Sequence, residues 1–75
     1  MNIKDLAVGD AGQVAGYEAG ARSYRKKLLA MGLTPGTTFT VTRVAPLGDP
    51  VEIAVRGFKL SLRRDEAAAV RVEKE

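Results

Sequence analysis

Four basic side chains crowd positions 22–27: Arg22, Arg25, Lys26 and Lys27. Such a cluster can pair with carboxylates, phosphates or lipid headgroups, and it can equally be an ordinary solvated helix face. Covalent and acid–base chemistry has far less to draw on. The chain holds no histidine and no cysteine, which removes the commonest general acid–base, the commonest neutral metal ligand and the thiolate nucleophile. Ser23, Ser61 and the threonines are left without a histidine to activate them. The carboxylates Asp10, Glu18, Asp49, Glu52, Asp65 and Glu66 are scattered, and only Asp65-Glu66 are adjacent. That pair reads as first-turn charge on a short helix. Neither a G-x-x-x-x-G-K-[ST] loop nor a G-x-G-x-x-G turn occurs. The expectation is a protein that binds but does not catalyse, with no cofactor and no metal site.

The elements that must carry those residues are few. At 75 residues, the chain is read as one domain, 1–75, with one thin core, since a domain of this size buries only about 60% of its unfolded surface. A hydrophobic share of 45% is enough to fold. Absence of cysteine favours a reducing compartment. Met1–Leu6 lacks a signal-peptide layout, and no apolar run approaches a membrane span. The expected location is the cytoplasm. The net charge of +3, from 12 basic and 9 acidic residues, bears on association and not on fold.

Ala21, Tyr24, Leu28 and Met31 recur at spacings of three and four, which predicts a helix over 21–31 with these residues on one stripe. Arg22, Arg25 and Lys26 then lie on another side. Gly32 stands where a helix C-cap wants positive φ, and Pro35 stops the helix resuming. Thr34-Pro35-Gly36-Thr37 has the residues of a type II turn.

The rest of the chain alternates with period two. Strands are predicted near 13–17, over 38–44 and at Val51-x-Ile53-x-Val55. A further strand, Phe58-x-Leu60-x-Leu62, follows a two-residue turn at Arg56-Gly57, and a last short one holds Val70 and Val72. Arg64–Ala68 forms one helical turn. The inward set is Val14, Phe39, Val41, Val51, Ile53, Val55, Phe58, Leu60, Leu62, Val70 and Val72. Thr40, Thr42 and Val44 face the other way. About five short strands with one inserted helix make a mainly β fold, a small barrel or sandwich.

The stretch Tyr24-Arg25-Lys26-Lys27-Leu28-Leu29-Ala30-Met31-Gly32-Leu33-Thr34-Pro35-Gly36 resembles the signature of FeoA, the ferrous iron transport protein A family. The loop Val44-Ala45-Pro46-Leu47-Gly48-Asp49-Pro50, the hairpin and Leu-Arg-Arg step within Val55–Glu73, and the early Leu6-x-x-Gly9 continue the match over nearly the whole chain. The resemblance implies an SH3-like barrel. It also implies an accessory role in bacterial ferrous iron uptake: binding the cytosolic side of FeoB, the membrane transporter with a GTPase domain, and regulating or stabilising it. This chain would then sit at the inner membrane through its partner.

Six residues are candidates for partner binding: Arg22, Arg25, Lys26, Leu29, Leu47 and Asp49. Leu29 lies off the helix stripe among the basic residues, an apolar anchor in a charged rim. Alternatively, a wide apolar helix face buries it. Leu47 sits at the tip of the Pro46–Pro50 loop, where exposed binding residues gather, although Gly48 and Pro50 equally shape a plain hairpin. The same surfaces would serve self-association. The alternative function is a small basic barrel that binds nucleic acid, for which strong salt dependence is the signature. With aromatics at 5% and placed inward, stacking platforms for bases are scarce.

Overall fold

Val, Ile and Leu alternating with polar residues build the strands, and the turn residues between them set the pairing. The computed structural model describes residues 1–75. A 3₁₀ turn at Ile3–Asp5 is followed by β1 (Ala11–Tyr17), α1 (Arg22–Ala30), β2 (Thr38–Val44), β3 (Val51–Val55), β4 (Phe58–Leu62), α2 (Arg64–Ala69) and β5 (Val70–Lys74). All neighbouring strands are antiparallel, in one sheet of order β4-β3-β2-β1-β5. The expected mainly β fold of five strands and one longer helix is therefore the one observed.

Val55 pairs directly with Phe58, so Arg56 and Gly57 form the whole turn. Their φ angles of 50° and 86° fit a primed hairpin turn, whose twist matches that of the flanking strands. α1 ends in two bonds, Gly32 N–H to Leu29 C=O and Leu33 N–H to Leu28 C=O, with Gly32 at φ 98°. This is the Schellman arrangement, and its apolar partners Leu28 and Leu33 are both wholly buried. The next turn closes through Thr37 N–H to Thr34 C=O.

Val14, Val41, Ile53, Leu62, Val70 and Leu28 form the centre of the core. Three features depart from the expected inward and outward sets. Phe58 is 47% exposed; its register is inward, but it lies where β4 begins and the core no longer covers it. Val44 packs against the core because the β2–β3 register shifts between Val41 and Arg43. Thr42 fills that irregularity, its hydroxyl bonding the Glu52 C=O at 3.2 Å and the Glu52 carboxylate at 3.0 Å. Ile3, Leu6 and Leu33, outside every expected core position, are buried.

The two edges of the sheet differ. Along β5, Val72 N–H donates to the Met1 C=O at 2.9 Å, and Asn2 bridges to Arg71. Asn2 is itself held by its side chain accepting from Lys4 N–H and its N–H donating to Asp5. Along β4 no comparable segment is laid down. The chain passes directly from β4 into α2, which joins the two edges.

Candidate functional site

Helix α1 sends its basic residues to two places. On one flank, Arg22, Arg25 and Leu29 line an open cleft of about 360 Å³, together with Tyr17 and Glu18 at the end of β1 and Pro35 of the turn after the helix. Leu29 is half-buried, while Arg22, Arg25 and Lys26 are exposed. Arg22, Arg25 and Leu29 thus line one cleft, with Glu18 the one carboxylate among its lining residues. Such a cleft can receive an apolar side chain flanked by carboxylates. It offers no nucleophile and no acid–base pair.

Tyr17, which lines the cleft, also packs against the core. Its ring is half-buried, and its hydroxyl donates to the Leu33 C=O at 2.6 Å. That bond ties β1 to the segment after α1. Burial pushes the phenol above its ordinary value, against a smaller opposing pull from Arg25. Tyr17 is therefore a neutral donor around pH 7 and cannot act as a base there. A tyrosine at a strand end with its hydroxyl in need of a partner was the available signal.

Lys27 lies on the other flank, across the buried stripe. Its ammonium donates to Glu66 of α2 at 2.7 Å. Glu66 also accepts from Arg63 N–H at 2.9 Å, which satisfies a free donor at the start of α2. The Lys27 hydrogen bond holds the Glu66 carboxyl below its usual range. Burial opposes this, while the Arg63 N–H and the nearby positive charges add to the lowering. Lys27, itself exposed, is thus paired within the chain, on the opposite flank of α1 from Arg22 and Arg25.

Leu47 and Asp49 are not brought to the cleft. Leu47 is 87% exposed, at the tip of a loop closed by Gly48 N–H to Ala45 C=O and Ala45 N–H to Pro50 C=O. Asp49 accepts from Arg64 N–H at 3.0 Å and so anchors this loop to the start of α2. Asp49 lines a polar depression with Lys27, Arg63 and Glu66, separate from the cleft of Arg22 and Arg25. Of the six candidates, Arg22, Arg25 and Leu29 meet at the cleft, Leu47 and Asp49 belong to the loop, and Lys26 lines neither depression.

A family model described as the FeoA domain matches residues 1–74. The chain is 40% identical over 73 residues to a Porphyromonas gingivalis protein named an Fe(2+) transport protein A/Fe(2+) transporter FeoB fusion protein. That match covers 97% of this chain but only 8% of the relative's length. The solution structure of an FeoA-like protein from Clostridium acetobutylicum superposes with a TM-score of 0.87 at 32% identity, covering 97% of this chain and 84% of that one. FeoA of Stenotrophomonas maltophilia, described as a prokaryotic SH3 domain protein and solved with zinc, superposes at 0.84 over 100% of this chain and 95% of that one. Its 21% identity speaks to the fold alone. No helix is long and apolar enough to cross a membrane.

Proposed function

Because the chain belongs to the FeoA family, a family of ferrous iron transport, we propose that it acts as a single docking domain. It binds the cytosolic side of a FeoB transporter and regulates or stabilises it, catalysing nothing itself. The observation that carries this reading is the Porphyromonas gingivalis relative, in which an FeoA-like segment and FeoB share one polypeptide. Fusion holds two modules at an effective concentration that reaches millimolar for short flexible linkers. The cleft of Arg22, Arg25 and Leu29, with Lys26 beside it, has the composition of an interface centre: an apolar anchor with arginines around it. Leu47 offers a second, smaller apolar contact.

The test is retention of purified, detergent-solubilised FeoB from the same organism on the immobilised chain. The wild-type chain retains the transporter. Leu29→Asp combined with Arg25→Glu weakens retention by at least about tenfold, the scale of a hot-spot loss. Leu47→Asp, measured alone, reports the loop's share. No retention by the wild-type chain overturns the reading. Retention unchanged by the double substitution moves the docking surface away from the cleft.

A further inference from the structure

We infer that the exposed edge of β4 is a second binding surface, which takes an extended acidic segment of a protein partner as an added antiparallel strand. Pairing to β3 directs the backbone groups of Phe58, Leu60 and Leu62 toward that strand, since Val55 and Phe58 close a two-residue turn. The N–H and C=O of Lys59 and Ser61 therefore point out of the sheet. Neither residue takes part in any backbone hydrogen bond outside the strands, and β4 has no neighbour beyond β3. Edge groups of this kind are a ready template for a further strand. At the other edge Met1 and Asn2 already occupy that position.

Side chains beside the bare edge select the occupant. Phe58 is 47% exposed and Leu60 half-buried, so an added strand finds apolar contacts at alternate positions on one face. Arg56, Lys59, Arg63 and Arg64 are all exposed, and no acidic residue lies between 56 and 64. These four cations exceed the net charge of +3 for the entire chain. The acidic neighbours are Glu52 across the ladder, 3.8 Å from the Lys59 ammonium, and, at the end next to α2, Asp49 and Glu66 beside Ser61 and Arg63. A second copy pairing β4 with β4 would set the four cations of each molecule against those of the other, which disfavours a homodimer here. An extended segment alternating apolar and acidic residues meets both the strip and the charge.

The experiment is an NMR titration of the isotopically labelled full chain with the blocked heptapeptide Ac-Glu-Val-Glu-Val-Glu-Val-Glu-NH2. The expected result is shift changes confined to residues 56–64, with slowed amide exchange at Lys59 and Ser61. Ser61→Pro removes one of the two outward donors and weakens binding about five- to tenfold, while unchanged β1 and β5 signals show that it folds. Lys59→Glu with Arg63→Glu weakens binding further and flattens its salt dependence. Four results overturn the inference. One is no binding by the peptide. Another is binding that shifts the Arg22, Arg25 and Leu29 cleft but not β4. The third is equal affinity for a peptide N-methylated at alternate residues, which would show that charge acts without strand pairing. An oligothymidylate that binds residues 56–64 where the acidic peptide does not also overturns it.

Discussion

The two edges of one small sheet are protected by different means. At β5, Met1 accepts from the outward Val72 N–H, Asn2 bridges to Arg71, and the wholly buried Ile3 pins this segment in place. At β4, the outer N–H and C=O of Lys59 and Ser61 meet solvent, and only charge stands guard. The difference teaches that a sheet this small does not need both edges closed in order to fold. Covering β5 contributes to the core because Ile3 comes with the covering segment. Covering β4 would contribute little, because Phe58 and Leu60 lie where the core has already thinned. An edge that adds little to folding is free to be used for recognition.

Ile3→Ala tests the covered edge and has the largest expected effect. Truncating a wholly buried isoleucine costs about 3 kcal/mol, read as a fall in the urea midpoint. The Val72 amide should lose its exchange protection at the same time. If Val72 stays protected, the first residues hold that edge without their buried anchor.

Glu66 belongs to α2, which joins the two edges. Glu66→Gln should cost about 1.5 kcal/mol at pH 7, the worth of a hydrogen bond to a charged group. The sign of its pH dependence follows from the lowered carboxyl. The contribution is complete above the unfolded carboxyl's value of about 4.3 and is lost as pH falls through the lower folded value. Stability curves of the wild-type chain and Glu66→Gln should therefore converge as pH falls below the unfolded carboxyl's value.

Phe58→Ala probes the bare edge. Because the ring is only half covered, the loss should stay within about 1 kcal/mol, well below that for Ile3→Ala. A loss equal to that of Ile3→Ala would erase the contrast. The smallest effect is expected at the turn leading into β4. Arg56 adopts φ 50°, which asparagine tolerates better, so Arg56→Asn should stabilise by about 0.5 kcal/mol. The gain would be reduced by loss of the Arg56 contact with the Thr37 hydroxyl at 3.3 Å.

Local signals were enough to locate most elements. Val51, Ile53 and Val55 alternate strictly and are all buried, and β2, β3 and β4 lie where period two placed them. The N-terminal 3₁₀ turn carried no such signal. Ile3 and Leu6 are single apolar residues, and what buries them is contact with the far end of the chain. Phe58 shares its register with Leu62, yet one is half exposed and the other wholly buried; where a barrel stops covering its own strand is not a local property. The shift between Val41 and Arg43 likewise turned Val44 inward, and alternation cannot foresee an irregular pairing. At the candidate site, the helix periodicity correctly set Arg22, Arg25 and Lys26 on an exposed face. It did not distinguish Lys27, whose partner Glu66 arrives from α2. Nor did it bring Tyr17 and Pro35 to the cleft, since both reach it through tertiary packing.

The register of β1 with β5 also bears on the time course of folding. β2, β3 and β4 pair with sequence neighbours, whereas Gly12 pairs with Lys74 from the opposite end of the chain. Closing so long a loop costs entropy before any contact rewards it, so the three-strand meander is expected to form first and the terminal strands to dock onto it. On that order, weakening the β1–β5 seam should steepen escape from the native state while leaving the rate of arrival almost untouched. The lifetime of the folded molecule would then be governed where its two ends meet.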